Sequence, residues 1–225
     1  MRDGKDGRWL KPSYEASYHQ TVYGSLIESE LYYDLRSRQA KRDLFDGVIG
    51  DDAEVFEFGV GTGKNIAQLR HKSGYDLSEF AREFSAKKGI RVYDDMAKVP
   101  DGHFDVVLSS HVLEHLPDPG ANLELLATKL KPNGKLVLVL PVEKHRHVPF
   151  DVDVDQHLYA WNFRTINNLL ARVGFKVLEN RYRYGTLQYK LRALGKVSFG
   201  LYDLNTRLFG RVLDRRDQII VAERR

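Results

Sequence analysis

Short apolar runs alternate with longer amphipathic stretches along most of this chain. The apolar runs have the length of buried strands, and between them apolar residues recur at the three-to-four spacing of a helix. The pattern predicts strands that end at Phe58 and Asp76, followed by strands at 90–93, 104–109, 135–140, 175–178 and 218–222. It predicts helices at 65–70, 78–88, 118–130 and 162–173, after an N-terminal helical region that reaches about Gly47.

This alternation predicts an α/β fold in which a mostly parallel sheet is covered by helices on both faces. Residues 1–47 are expected to form an N-terminal tail and helix, and residues 48–225 the domain that contains the sheet. The segment 182–216 is far too long for a hairpin turn between the last two strands, and its apolar residues predict a helical insertion there.

Three glycines occur every second residue directly after the first predicted strand. Gly59, Gly61 and Gly63 allow a sharp turn and let a ligand approach the bare backbone. A helix that opened at about Asn65 would point its free N–H groups and its positive dipole end at that ligand. A dinucleotide-binding turn would place its last glycine at position 64, which is Lys64 here.

The G-x-G-x-G pattern, with Glu57 two residues ahead of it, resembles motif I of the class I S-adenosylmethionine-dependent methyltransferases of the small-molecule type. The run 74–78 and the run 109–119, which contains H-V-L-E-H-L-P-D-P, resemble later motifs of the same family. The resemblance implies a Rossmann-like, doubly wound sheet of seven strands whose last strand is antiparallel. It also implies S-adenosyl-L-methionine as cofactor and methyl transfer as the reaction.

Acidic residues at the ends of the predicted strands suggest how such a cofactor is held. Asp76 is placed to accept both ribose hydroxyls, because an ionised carboxylate is acceptor-only. The resemblance implies that Asp95, with Met96, faces the adenine, Asp94 being the alternative. It implies the following cofactor-binding residues: Glu57, Gly59, Gly61, Gly63, Asp76, Leu77, Asp95, Met96, Ser110 and His111.

His111 is the candidate catalytic residue, as a general base at the end of the fourth strand. The resemblance implies that N-terminal helices within 1–47 form a lid over the site, with Tyr14 and Tyr18 as lid residues.

Histidines and carboxylates between 141 and 157 could hold a divalent cation. Glu114, His115 and His157 are similar to the ligand pattern of metal-dependent RNA 3′-terminal 2′-O-methyltransferases, but His111 replaces the first glutamate of that pattern. The stretch from Asp155 to 175 is similar to metal-independent members of the methyltransferase family. We therefore expect no resident metal ion, and whether one binds near 145–157 is left open.

Charge and composition narrow the possible partners only slightly. The net charge is +4, from 35 Lys+Arg and 31 Asp+Glu, and the basic excess lies in 181–216. That segment could be a lid, a homodimer contact or a patch for an anionic membrane surface. Basic residues alone do not indicate nucleic acid, which we consider an unlikely partner.

The chain has no cysteine, no apolar run long enough for a membrane span and a polar N-terminus. We therefore expect a soluble cytoplasmic protein. The sequence predicts an enzyme that methylates an oxygen or nitrogen of a small molecule such as a sugar, a lipid precursor or a natural product. The alternatives are a metal-dependent RNA 2′-O-methyltransferase and a non-catalytic subunit that binds S-adenosylmethionine and a partner chain.

Overall fold

A computed structural model describes residues 29–143 and 156–225 of the chain. Its strands are β1 (Glu54–Phe58), β2 (His71–Tyr75), β3 (Arg91–Tyr93), β4 (Phe104–Ser110), β5 (Leu130–Pro141), β6 (Phe175–Tyr184) and β7 (Arg216–Arg224). Its α-helices are α1 (Glu30–Leu44), α2 (Glu79–Lys87), α3 (Pro119–Lys129), α4 (Phe163–Arg172) and α5 (Phe199–Val212). Short 3-10 helices cover Met96–Lys98, Leu113–His115 and Arg192–Lys196.

The strands form one seven-stranded sheet in the order β3-β2-β1-β4-β5-β7-β6. Strands β1 to β5 are mutually parallel, and β7 pairs antiparallel with both β5 and β6. The expected doubly wound, Rossmann-like fold with an antiparallel last strand is therefore confirmed. In this topology β1 lies between β2 and β4, so the ends of these three strands meet at one edge of the sheet.

Both faces of the central strands are buried. On β4, Val107 belongs to one apolar core, whereas Val106 and Leu108 belong to the core on the other face. The same alternation divides β1, where Phe56 and Val55 point to opposite cores. A strand that is buried on both faces needs a nearly continuous apolar run, which explains why β4 could be located from the sequence.

Side-chain caps begin the helices at the positions that the sequence predicts. Ser78 Oγ accepts the backbone N–H of Ala81 at the start of α2, and Asp118 Oδ1 accepts that of Ala121 at 2.9 Å at the start of α3. Asn162 forms a capping box with Thr165 at the start of α4. These caps satisfy N–H groups that have no partner within the helix.

The predicted helix at 65–70 is wrong. The residues between Gly63 and β2 form consecutive turns, in which Ile66 N–H donates to Gly63 O and Leu69 N–H to Ile66 O. Only seven residues separate Gly63 from His71, the first residue of β2, and the buried side chain of Asn65 is used in a hydrogen bond to Glu57. The expected helix N-terminus therefore does not face the glycine turn.

Two strands are longer than predicted. Strand β6 runs to Tyr184 instead of 178, because β7 pairs with it along its whole length. Strand β5 starts at Leu130 instead of 135, and the predicted turn at 132–134 lies where the register between β4 and β5 shifts. There Asn133 has a positive φ of 62°.

The helical insertion before the last strand is confirmed as the Arg192–Lys196 turn and α5. Along α5 and just before it, Val197, Leu204 and Val212 are 79%, 64% and 72% exposed. The use of 182–216 as a lid, an interface or a membrane patch stays a prediction. Among the described residues, none of the helices has both the length and the apolar character that crossing a membrane requires.

A buried polar network joins α1 to α5. The Asp203 carboxylate accepts hydrogen bonds from Gln39 Nε2 at 2.9 Å, Arg42 Nη2 at 2.7 Å and Arg207 Nε at 3.0 Å, and Arg207 also pairs with Asp43. Burial alone would raise the pKa of Asp203, but the hydrogen bonds from Arg42 and Gln39 and the charge of Arg207 lower it below its usual value. This network fixes the N-terminal helix against the insertion.

We expect Asp203→Asn to destabilise the chain by about 2 kcal/mol at pH 7, because two guanidinium groups lose their common charged acceptor. Urea unfolding would measure the loss. Because the pKa of Asp203 is lower in the folded chain, its contribution is present at neutral pH and disappears as pH falls through the folded pKa. The deficit of the variant should therefore shrink in acid.

Asp34→Asn is the matched control, since Asp34 has a 50% exposed side chain and lies 3.9 Å from Arg38. Loss of an exposed pair of this kind should cost less than about 0.5 kcal/mol. Equal effects of the two substitutions would show that the Asp203 network does not stabilise the fold.

Candidate active site

The glycine turn leaves the carboxyl end of β1 and is tied to the end of β2. The backbone N–H groups of Gly59 and Val60 both donate to Tyr75 O, at 2.8 and 2.9 Å. Gly59, Gly61 and Gly63 have φ angles of +77°, +52° and +71°, a region that side-chain-bearing residues rarely adopt. The alternating spacing is therefore a requirement of the backbone path.

The three glycines have different surroundings. A Cβ on Gly59 would lie 2.3 Å from Val112 Cγ2, and one on Gly63 would lie 2.1 Å from Ile90 Cδ1. These two glycines are thus needed for packing as well as for the turn. A Cβ on Gly61 would meet no described atom within 4 Å, so this position borders an open space that a ligand could fill.

Asp76 lies beside this open space, directly after β2. Its Oδ2 accepts the Gly61 N–H at 2.8 Å and its Oδ1 accepts the Ser78 N–H at 2.9 Å. Each carboxylate oxygen has two lone pairs, so both oxygens can still accept a further hydrogen bond. The neighbouring Leu77 is 59% exposed, and its side chain is available to a ligand at this edge.

Glu57 is fully buried under the glycine turn. Asn65 Nδ2 donates to its Oε1 at 2.6 Å, whereas its Oε2 has no hydrogen-bond partner among the described residues. Burial raises the pKa of Glu57 to about 8, although the hydrogen bond from Asn65 and the charge of Lys64 lower it. At neutral pH this carboxyl group is therefore largely protonated, which lets it stay in an apolar environment.

Helix α1 contacts the glycine turn through Tyr33, whose hydroxyl group donates to Thr62 O at 3.1 Å. Desolvation by burial, followed by the charge of Glu57, raises the pKa of Tyr33. This contact places the N-terminal helix against the site.

The two acidic candidates after β3 have local structural roles. Asp95 Oδ1 accepts the Ala97 N–H at 2.8 Å and so caps the short helix that contains Met96. Asp94 is exposed and accepts hydrogen bonds from Lys98, which lower its pKa. Met96, like Tyr75, is partly buried and packs against the core. This capping hydrogen bond orients the Asp95 carboxylate. The lone pairs that it does not use can accept hydrogen bonds from a ligand.

Ser110 ends β4, and His111 follows with a positive φ of 56°. This conformation turns the imidazole out of the sheet, with its side chain 43% exposed. His111 Nδ1 lies 3.6 Å from Glu114 Oε1, and its Nε2 lies 3.6 Å from Asp217 Oδ1. The histidine thus stands between two carboxylates at the edge where β1, β2 and β4 end.

Asp217 reaches this edge from β7. Burial alone would raise its pKa, but the charges of Arg183 and His111 hold the pKa of Asp217 well below its usual value. Arg183 Nη2 donates to Asp217 Oδ2 at 2.7 Å. Asp217 is therefore ionised at neutral pH, and its negative charge faces the imidazole of His111.

A second group of side chains lies just beyond His111. Ligand atoms of Glu114, His115 and His157 all lie within 4.8 Å of one another. The rings of His115 and His157 are 4.7 Å apart, and His157 Nδ1 contacts Glu143 Oε1 at 2.5 Å. Burial raises the pKa of Glu114, an effect that the charges of His111 and His157 oppose.

Sequence reasoning missed three of these contacts. It assigned Asn65 only to a helix start, and it gave no role to Asp217 or to the contact of Glu143 with His157. Asp217 is far from His111 along the chain, and only the antiparallel pairing of β7 with β5 brings the two together. The proposed lid residues Tyr14 and Tyr18 and the histidines at 145 and 147 lie outside the described residues.

A family model described as a methyltransferase domain matches residues 28–180. A ubiquinone biosynthesis O-methyltransferase of Xanthomonas euvesicatoria is 39% identical over 100 residues, covering 38% of this chain and 42% of that protein. An uncharacterized methyltransferase of Bacillus licheniformis is 30% identical over 160 residues, covering 62% of this chain and 71% of that protein. The chain thus spans less than half the length of the first of these relatives.

Solved structures share the fold. A SAM-dependent methyltransferase from Archaeoglobus fulgidus has a TM-score of 0.61 at 19% identity, covering 94% of this chain and 100% of that one. A putative methyltransferase from Haloferax volcanii, solved with the methyltransferase activator Trm112, has a TM-score of 0.61 at 15% identity, covering 94% and 96% of the two chains. Identities this low establish the architecture alone.

Glu57→Gln should remove one component of the pH dependence of stability. The pKa of Glu57 is about 8 in the folded chain against an ordinary value of 4.5, so the folded state keeps a proton that the unfolded chain releases. Between about pH 5 and pH 8 this group lowers the free energy of unfolding by up to about 1.4 kcal/mol per pH unit as pH rises. Urea unfolding across this range should show a flatter profile for the variant.

Glu179→Gln is the control, because the side chain of Glu179 is 48% exposed and pairs with Arg181, which stays charged across this range, so it should leave the native slope unchanged. A Glu57→Gln profile that kept the native slope would contradict a protonated Glu57 under the glycine turn.

Proposed function

The chain belongs to the methyltransferase-domain family, and we propose that it is an S-adenosylmethionine-dependent methyltransferase that methylates an oxygen atom of a small-molecule acceptor. The main support for a cofactor site is the open space at Gly61 beside the Asp76 carboxylate, which accepts a hydrogen bond from the Gly61 N–H at 2.8 Å.

The residues at this edge fit the cofactor. Gly61 leaves room for a ligand against the backbone, and Asp76 offers a free lone pair on each oxygen for the two ribose hydroxyls. Asp95 and Met96 would face the adenine, and Ser110 would line the space at the end of β4. These assignments are proposals that follow from the position of each residue at the carboxyl edge of the sheet.

When bound, S-adenosylmethionine would supply a methyl group activated on its sulfonium. As the new C–O bond forms, the methyl C–S bond would break, S-adenosylhomocysteine would leave and the acceptor hydroxyl would lose its proton. We assign the proton to a ring nitrogen of His111. The carboxylates of Glu114 and Asp217, both 3.6 Å from the ring, would stabilise the positive charge that results. The remaining task of the chain is to align the reactants and exclude water.

The choice of oxygen as the methylated atom is supported by the relatives. Several Xanthomonas proteins that align with part of this chain are named ubiquinone biosynthesis O-methyltransferases, and the alignment with one of them covers 42% of its length. A histidine at the end of β4 suits this choice, because a hydroxyl acceptor needs a base. We therefore favour a hydroxyl on a small, partly apolar molecule over an amine.

Gly61→Ala should weaken binding of S-adenosylhomocysteine, the product form of the cofactor, at least tenfold, or about 1.4 kcal/mol, because the new methyl group would occupy the ligand space. Isothermal titration calorimetry would measure the change. Gly102→Ala is a matched control, since Gly102 also has a positive φ, of 59°, and no described atom within 4 Å of its Cβ, but lies before β4 at the opposite end of the strand.

Both substitutions should cost a similar backbone strain of about 1 to 2 kcal/mol. A difference between the two variants in affinity for S-adenosylhomocysteine therefore reflects the ligand site and not the backbone strain. Equal affinities of the two variants would place the cofactor away from Gly61.

The function itself is tested by transfer of a labelled methyl group from S-adenosylmethionine to a panel of phenols, catechols and aliphatic alcohols, with short RNA and amines as competing classes. We expect transfer to hydroxyl compounds, and we expect His111→Gln to lower kcat about 100-fold while the affinity for S-adenosylhomocysteine changes little. His103→Gln, at the start of β4, should keep the native rate.

The same assay separates the alternatives. Transfer to RNA that weakens steeply with salt would favour an RNA 2′-O-methyltransferase. Cofactor binding without transfer to any acceptor class would favour a non-catalytic subunit. Either result would contradict the proposal.

A further inference from the structure

Glu114, His115 and His157 form a cluster of possible metal ligands. Of these three residues, the proposed methyl transfer uses only Glu114. Two of its members come from the 3-10 helix Leu113–His115 after β4, and the third comes from the segment before α4. One ligand atom of each residue lies within 4.8 Å of the other two. Three donors bound to one Zn²⁺ at 2.0 to 2.2 Å lie roughly 3.4 Å apart, so side-chain movements of about 1 Å would close the site.

Backbone contacts hold the two segments together. Glu114 O accepts the N–H groups of Leu158 and Tyr159, at 2.8 and 3.3 Å. The Tyr159 hydroxyl group donates to Pro117 O at 2.9 Å. These hydrogen bonds fix the backbone of His157 relative to that of Glu114. The proximity of the three side chains therefore follows from the path of the backbone.

The Glu114 carboxylate is buried without hydrogen bonds from the described residues. The side chain is 0% exposed, and neither of its oxygens has a hydrogen-bond partner among the described residues. His111 Nδ1 lies 3.6 Å from Glu114 Oε1, beyond hydrogen-bond distance. A buried carboxylate without hydrogen bonds is costly, and a coordinated cation would satisfy it.

Glu143 completes an arrangement that is common around metal-bound histidines. It contacts His157 Nδ1 at 2.5 Å, which leaves Nε2 as the nitrogen that can bind a metal. A carboxylate on the second ring nitrogen fixes the tautomer and orientation of a ligating histidine and makes it a better donor.

We propose that Glu114, His115 and His157 bind one divalent transition metal ion of the Zn²⁺ class, with Glu143 as a positioning residue. Two imidazoles and one carboxylate suit Zn²⁺ better than Mg²⁺ or Ca²⁺, and three protein ligands leave a coordination position open. The sequence-based expectation of no metal rested on His111 replacing a glutamate and on the similarity of the stretch from Asp155 to 175 to metal-independent members. The ligand set proposed here does not require residue 111.

The ion would lie next to His111, at the edge where we place the acceptor. This part of the inference rests on the proposed function: an open position there would bind the acceptor oxygen and lower the pKa of its hydroxyl group. The metal site itself depends only on the three ligands and Glu143.

Titration of the full, tag-free chain with Co²⁺ tests the site through the visible ligand-field absorption of the ion. We expect one Co²⁺ per chain, displaced by Zn²⁺. His157→Ala and Glu114→Gln should each lower the affinity at least tenfold, and Glu143→Gln should lower it about 10- to 100-fold through the orientation of His157. His103→Ala is the control, because its ring is half-exposed at the start of β4 and lies 4.0 Å from Glu54.

X-ray absorption of the Zn²⁺-loaded native chain needs no variant and keeps the test decisive if Glu114→Gln fails to fold. It should show two imidazole ligands and at least one oxygen ligand. No stoichiometric Co²⁺ binding, a spectrum without imidazole scattering, or affinity that survives His157→Ala would overturn the proposal.

Calorimetry with S-adenosylhomocysteine on the same samples separates the two proposals. A chain that binds S-adenosylhomocysteine but no Co²⁺ loses only the metal site. A chain that binds Co²⁺ through His157 but shows no affinity for S-adenosylhomocysteine loses the proposed function and keeps the metal site.

Discussion

The candidate site depends on the hydrogen bonds that tie the glycine turn to the end of β2. Tyr75 O accepts the N–H groups of Gly59 and Val60, and Asp76 then accepts that of Gly61. These bonds require the positive φ angles of the turn. They also place the Asp76 carboxylate next to Gly61, a residue without a side chain. The open space and its acidic neighbour therefore arise from one local arrangement.

The order of the strands adds the chemistry. Because β1 lies between β2 and β4, His111 comes to the same edge as Asp76. The antiparallel pairing of β7 places Asp217 at this edge, and the segment before α4 places His157 near Glu114. The proposed proton acceptor and the three candidate metal ligands thus lie at the edge that carries the open space at Gly61, although their residues are spread over more than 100 positions of the sequence.

The sequence predicted what local spacing determines. The buried strands, the caps at Ser78, Asp118 and Asn162, and the place of Gly61 and Asp76 each follow from neighbouring residues. The helix at 65–70 was predicted wrongly, because local propensity does not register that Asn65 bonds to Glu57 or that β2 begins at His71. Contacts such as His111 with Asp217 depend on tertiary pairing, which a single sequence does not encode in any local signal.

The difference between local spacing and tertiary contact also applies to the proposed metal ligands. The sequence shows Glu114, His115 and His157 but not their separation in space, since 41 residues lie between the two histidines and some of them fall outside the described part of the chain. Only the backbone bonds from Leu158 and Tyr159 to Glu114 establish that the three can meet.

We propose that the edge formed by β1, β2 and β4 binds the methyl donor. A crystal structure of the full chain with S-adenosylhomocysteine tests this most directly. We expect both ribose hydroxyls within hydrogen-bond distance of the Asp76 carboxylate, with the ligand passing over Gly61. A ligand bound elsewhere, or bound at this edge without contact to Asp76, would contradict the account.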